Sequence, residues 1–284
     1  MLPAGAASRY AGIESGVQMK IISYGGGVQS TAMIVLATQG KIEADVALFS
    51  NVGDDSEHPK TLRFVREIMI PWAAERGFRV EELTPHKRGE PTSLVNEITR
   101  EGSRRVLIPV YGDIGAPLSR SCTTDFKVRV IGQWARKNGA NKNNKFVCHI
   151  GISVDEIERA GRGKPEAWQE RSYPLLDLGL RRVDCEQVIR EAGLPVPPKS
   201  SCFFCPFHRP LTWSELRRDE PELFDKAQEL EDHINNRQRE FGRNPLYLTK
   251  FGGRLSEVIA EAQQQLFEYE GPGQEGCDSG FCWT

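Results

Sequence analysis

The sequence predicts an α/β fold, a parallel twisted sheet with helices on both faces. Three observations carry this. Short apolar runs alternate with longer segments of helical apolar spacing, the pattern of strands joined by crossover helices. The chain, at 284 residues, is long enough to bury a large core. A run of glycines lies between the first apolar run and the first helical segment, where a tight turn is needed.

MKIISY (19–24) and ADVALFSN (44–51) read as buried strands, and VQSTAMIVLATQG (28–40) as a helix closed by glycine. PKTLRFVREIMIPWAAERG (59–77) places Leu62, Val65, Ile68, Met69 and Trp72 on one helical face, and FRVEEL (78–83) alternates as a strand does. VRVIGQWARKNG (128–139) is a helix and KFVCHIGIS (145–153) a strand. Near residue 165 the texture changes to prolines and paired basic residues. A helix (184–193), the segment PVPPKSSCFFCPFH, a long charged helix (212–241) and a glycine-rich tail ending GCDSGFCWT follow. The expected organisation is a flexible tail over 1–18, one domain over 19–165, and a helical, cysteine-bearing region over 166–284. Residues 1–18 lack the basic start and apolar core of a signal peptide. No apolar run approaches the roughly 18 residues that span a bilayer, and a cytoplasmic location is expected.

The stretch SYGGGVQST spans residues 23–31. Glycines let backbone approach a ligand closely and adopt positive φ, and a helix N-terminus presents N–H groups to an anion. Ser30 and Thr31 would add hydroxyl donors. The same glycines also suit a plain turn packed by small residues. The stretch is neither a Walker A loop nor the dinucleotide G-x-G-x-x-G pattern.

Net charge is −2, so nucleic-acid contact would need a local patch. From Phe126 to Phe146 the chain carries Lys127, Arg129, Arg136, Lys137, Lys142 and Lys145 with no acidic residue, and Arg100, Arg104 and Arg105 lie upstream. Such a run is a solvated face or a track for a phosphate backbone. The seven cysteines come without a secretory signal, which favours metal or redox chemistry over disulfides. Cys202 and Cys205 in C-F-F-C-P suit two thiolates on one metal, half a zinc site, or a redox pair. Cys148 lies in an apolar run and reads as a small hydrophobe; Cys185 lies on a helix.

Taken together, these elements resemble the PP-loop ATP pyrophosphatases, and within them the phosphoadenosine phosphosulfate (PAPS) reductase-like branch, a fold of the adenine nucleotide alpha hydrolase type. GGGVQS is similar to the pyrophosphate loop SGGxDS. FSNVGDDSEHPKTLRFV (49–65) is similar to the D-T-G segment with its P-E-T and F-V, RSCTTDFK (120–127) to R-x-C-T-x-x-x-K, and GISVDEIER (151–159) to G-x-x-x-D-E-x-x-R. YPLLDLGLRRVDC (173–185) with PKSSCFFCPF (198–207) resembles the C-terminal signature. The sequence departs from the pattern at Gly25 for the loop serine, Gln29 for its aspartate, Asn51 for the D of D-T-G, and Ser121 for the first of paired cysteines.

The resemblance implies that Ser23, Tyr24, Gly25, Gly26, Gly27, Gln29, Ser30, Thr31, Asn51 and Asp54 bind ATP with Mg²⁺. It implies that Lys127 and Arg159 neutralise phosphate charge and that Asp155 and Glu156 are further Mg²⁺ candidates. Cys122, Cys202 and Cys205 would hold a 4Fe–4S cluster, with Zn²⁺ as the alternative and Cys282 or Cys277 as a fourth ligand. The implied activity is adenylation of a nucleic-acid oxygen, in DNA or tRNA, followed by sulfur insertion. A cysteine desulfurase or another sulfur donor would be a partner, no membrane is involved, and a homo-oligomer is left open. The alternatives are a PAPS or APS (the unphosphorylated relative) reductase releasing sulfite, and a non-catalytic nucleotide-binding subunit.

Overall fold

Strand β1 (Lys20–Tyr24) is buried from Ile21 onward, and β2 (Val46–Ser50) along its whole length. This burial on both faces explains why both strands are nearly continuous apolar runs. The computed structural model describes residues 18–259. All but one residue of the expected tail, together with Cys277 and Cys282, lies outside the described residues. The further strands are β3 (Val80–Leu83), a two-residue hairpin of β4 (His86–Lys87) and β5 (Glu90–Pro91), β6 (Phe146–His149) and β7 (Gln169–Ser172). Five of them form one parallel sheet in the order β3-β2-β1-β6-β7. The chain therefore builds outward from β1 in one direction and then returns to build outward in the other. The reversal falls between β1 and β6, where the loops after both strands splay apart.

Alternation along the strands divides the side chains between two apolar layers. Ile22, Tyr24, Ala47 and Phe49 face the helices Val28–Thr38 and Arg182–Glu191 and the helical stretch 59–75. Ile21, Val46, Leu48 and Cys148 face Ile131 and Ala135 of the helix Arg129–Lys137, with Trp168. Helices thus cover both faces, as the sequence predicts. A further apolar cluster joins Val52, Leu107, Phe126, Phe203, Phe204, Trp213 and Phe224. It packs the C-terminal helices Pro210–Asp219 and Pro221–Glu240 against the segments that follow the strands.

Several elements differ from the sequence reading. The long helix expected over 212–241 is two helices broken at Glu220 (φ −141°, ψ 60°), because a residue before proline is driven out of the helical region. The helical stretch 59–75 passes through a π-helical register at Phe64–Met69, just ahead of Pro71, whose ring nitrogen has no N–H to donate. The helix expected over 128–139 begins earlier, at Ser121–Thr123, so the RSCTTDFK element forms its first turns. Strand β7, sequence QERS, has no apolar alternation and was not visible in the sequence. None of the described helices is long and apolar enough to cross a membrane.

His149, at the end of β6, is 6% exposed and bonds the Glu43 carbonyl through Nε2 at 2.8 Å. Burial, with a smaller contribution from the Lys20 charge, lowers its pKa below the ordinary histidine value. The unfolded chain therefore binds this proton more readily than the folded one, so the contribution is present above about pH 6.5 and is lost as pH falls below it. The stability difference between wild type and His149→Asn should accordingly shrink from pH 7.5 to pH 5 in thermal melts; a difference independent of pH would refute it.

Candidate functional site

The glycine loop follows β1 at the reversal point. Gly26 has φ +78°, and a Cβ there would lie 2.8 Å from Thr61 Cγ2, so glycine is required both by conformation and by space. Gly27 is the N-cap of the helix Val28–Thr38 and supplies no side chain to it. The first N–H groups of that helix have no carbonyl partner within it. Gly151, in the segment after β6, approaches the same helix start: a Cβ on it would sit 3.1 Å from Ser30 N and 3.3 Å from the Gln29 carbonyl carbon. Two segments without side chains therefore flank one helix N-terminus, and its first turn holds no acidic residue.

The hydroxyls near the loop are largely turned inward. Ser30 Oγ accepts from Gly25 N at 3.3 Å and donates to the Gly27 carbonyl at 3.2 Å, closing the loop on itself. Thr31 is fully buried and its hydroxyl donates to Tyr24 Oη at 3.4 Å. Burial raises the Tyr24 phenol well above its usual range, so it stays protonated. Ser23 is buried within β1, paired in register with Leu48. Gln29 is buried and accepts from Arg182 Nη1 at 3.4 Å.

The acidic candidates are engaged within the protein. Asn51 Nδ2 donates to Asp54 and to Glu82, each at 2.7 Å, and Arg66 donates to Asp54 at 2.8 and 2.6 Å. The Arg66 hydrogen bonds hold the Asp54 carboxyl below its ordinary range. Asp155 accepts from Arg182 N at 2.6 Å, at the start of the helix Arg182–Glu191. Glu156 pairs with Arg159 at 2.6 Å, and Arg159 is 1% exposed.

Glu57 follows Asp54 and Asp55 in the segment after β2. It is 2% exposed, and its Oε1 has no hydrogen-bond partner. Burial raises its pKa; the Lys127 charge and the His58 backbone N–H oppose that rise. Lys127 lies in the π-helical segment Thr124–Val128, which is fixed over the end of β2 where Ser50 Oγ donates to the Phe126 carbonyl at 2.5 Å.

The cysteine segments adjoin these groups. Cys202 forms an isolated β-bridge with Glu57, and His58 N donates to the Ser201 carbonyl at 3.2 Å. Ser200 Oγ donates to the Gly25 carbonyl, tying PKSSC directly to the glycine loop. Cys205 N donates to the Cys202 carbonyl at 3.1 Å and His208 N to the Cys205 carbonyl at 3.0 Å, which closes the C-F-F-C-P turn. Cys122 N donates to the Leu107 carbonyl at 2.8 Å, and the Arg120 guanidinium lies 5.6 Å from the centre of the Phe207 ring. Cys122 and Cys202 also pack against the same apolar cluster. The two cysteine segments are therefore neighbours, and three thiols are a donor set that suits iron or zinc. Among the described residues, however, no three Cys, His, Asp or Glu side chains converge as a preassembled metal-ligand group. Cys148 and Cys185 are fully buried, and burial pushes each thiol up to about 12, which leaves them unreactive.

The fold class is thus an α/β parallel sheet with a glycine loop at its reversal point. No protein-family model and no curated protein matches the chain. Among solved structures it is similar to the U34-tRNA thiolase NcsA from Methanococcus maripaludis with its 4Fe–4S cluster. The TM-score is 0.40 and the identity 12%, covering 90% of this chain and 74% of the other.

The geometry separates two cations that the sequence treats alike. Arg159→Ala leaves Glu156 buried without its partner and should cost roughly 3–5 kcal/mol in urea unfolding. Lys127→Ala, at a half-buried position, should cost less than about 1.5 kcal/mol in the same measurement. Equal losses of stability from the two changes would show that the distinction is wrong.

Proposed function

We propose that this chain is an ATP-dependent, sulfurtransferase-type PP-loop enzyme acting on nucleic acid. One observation carries the reading: Ser200, two residues before Cys202, is bonded to Gly25 of the glycine loop. A phosphate-binding turn and a cysteine turn are thereby held side by side at the strand reversal, where α/β folds bind ligands. The two units proposed from the sequence, 19–165 and 166–284, would each contribute one of these turns.

In this reading the backbone N–H groups after Gly26 hold the phosphates of ATP, and Lys127 stabilises the charge that develops on them. A nucleic-acid oxygen attacks the α-phosphorus, the new P–O bond forms and pyrophosphate leaves. The terminal sulfur of a persulfide, the form a cysteine desulfurase delivers, then attacks the adenylated atom and AMP leaves with the oxygen. A second thiol cleaves the remaining S–S bond, releasing the thiolated product and a disulfide that an external thiol reductant returns to thiols. Mg²⁺ would draw its ligands chiefly from phosphate and water, since Asp54, Asp155 and Glu156 each have a protein partner; the Glu57 carboxylate retains an uncommitted oxygen beside Lys127. Cys122, Cys202 and Cys205 would hold the iron–sulfur cluster, whose chemistry when bound is sulfur handling, with Cys282 proposed as a further ligand.

Pyrophosphate release from ATP, dependent on added tRNA or DNA, is the expected outcome, with Gly26→Ala lowering it at least tenfold. Sulfite release from PAPS or APS with thioredoxin in its place would overturn the assignment in favour of a reductase. Anaerobically prepared protein should absorb near 400 nm and bleach with dithionite, and Cys202→Ser should lose that band. Stoichiometric zinc without the band would replace the cluster by a zinc site.

A further inference from the structure

The basic run 126–146 does not stay together in the fold. The helix Arg129–Lys137 carries the chain away from the cysteine segments, and Lys142 and Lys145 lie in the turn that precedes β6. In a parallel sheet that turn belongs to the edge opposite the glycine loop. Arg129, at the start of that helix, instead joins cations from other segments on the side of Cys122.

Two enclosed carboxylates organise this set. Glu97, whose side chain is 9% exposed, lies 3.3 Å from Lys87 Nζ, 3.1 Å from Arg88 Nη2 and 3.7 Å from Arg100 Nε. Asp125, 6% exposed, lies 3.1 Å from Arg129 Nη1 and 3.6 Å from Arg105 Nη2. Five cations thus surround two carboxylates, a surplus of three positive charges. The arginine side chains point outward, Arg88 being 63% exposed, Arg105 64% and Arg129 55%. Arg104 and Arg243 lie over the Phe241 ring, 5.2 and 5.5 Å from its centre.

The set is continuous and fixed from beneath. Buried Arg237 donates to the carbonyls of Ile98 and Arg105, joining the Glu97 and Asp125 groups. Lys87 Nζ lies 4.9 Å from the Phe126 ring centre. Arg88 is presented by a hairpin turn with positive φ at both Arg88 and Gly89, the turn that matches strand twist. Arg105 also reaches Ser121 Oγ at 3.4 Å, one residue from Cys122. Cations pre-ordered by buried anions, in excess of them and ending at a reactive centre, suit a chain of regularly spaced phosphates.

We infer that Arg88, Arg100, Arg104, Arg105, Arg129 and Arg243 form the surface that binds the phosphodiester backbone of the nucleic-acid substrate and leads it to Cys122. This rests on the nucleic-acid reading above and locates it.

Fluorescence anisotropy of the full chain with a labelled RNA stem-loop and with duplex DNA, from 50 to 300 mM salt, tests it. The quadruple variant Arg88→Gln/Arg104→Gln/Arg129→Gln/Arg243→Gln should lower the slope of log K against log salt by roughly 3, and weaken binding at least tenfold at 100 mM salt. Lys142→Gln/Lys145→Gln should leave both unchanged, and thermal melts check that each variant folds. The arm bound more tightly at 100 mM salt identifies RNA or DNA as the backbone bound. Wild-type binding to neither nucleic acid, equal losses in the two variants, or preference for an acidic polypeptide over both would overturn the proposal. Pyrophosphate release is not read here, so failure of the ATP chemistry would leave a positive binding result standing.

Discussion

The reversal of strand order between β1 and β6 is the constraint on which the rest depends. Once β2 and β3 are added on one side of β1 and β6 and β7 on the other, the loops after β1 and β6 must part. The N-terminus of the helix Val28–Thr38 opens into the gap between them. Gly26 and Gly151 keep the gap clear of side chains, since a Cβ at either would come within 3.1 Å of a neighbouring atom. The apolar layers on the two faces and the C-terminal cluster then fix the walls, with Phe126 and Phe203 buried together in that cluster.

Charge in this molecule is mostly spent on holding segments in place. Asp54 and Glu82 share Arg66, Asp155 accepts a helix-starting N–H, and Glu156 neutralises Arg159. Burying an isolated charge is far more costly than burying a pair, which accounts for Glu156 with Arg159, while the exposed Asp54 and Asp155 tie segments together at the surface. Glu57 is the contrast. Its carboxylate is enclosed, with one oxygen lacking a partner, a situation that costs on the order of 1–3 kcal/mol and that structures tolerate chiefly where function requires it.

Much of this was legible in the sequence. Apolar runs announced β1, β2 and β6, and the three glycines announced the loop, because both signals are local. The order of the cysteine and lysine elements was likewise readable as a pattern of resemblance. What was hidden depends on contacts across long separations. β7 is a polar edge strand whose place comes from pairing with β6, not from alternation. The partners of Gln29, Asp155 and Gly25 are Arg182, Arg182 and Ser200, more than twenty-five residues away in each case. The basic run 126–146 looked like one surface because sequence spacing cannot show a helix crossing from one edge of a sheet to the other. The arginines inferred to assemble come from a hairpin, a loop, the start of the helix Arg129–Lys137 and the segment after the helix Pro221–Glu240, and four of them, Arg88, Arg100, Arg105 and Arg129, face two enclosed carboxylates.

The bond from Ser200 to Gly25 has a thermodynamic implication. A loop whose carbonyl is held by the residue beside a cysteine turn cannot rearrange without disturbing that turn. If an occupant of the loop changes the conformation of residues 200–205, an occupant of the cysteine turn must change the loop's affinity by the same factor, whichever arrives first. Under that condition a single hydroxyl would make the two turns one cooperative unit, with the order of loading left to kinetics.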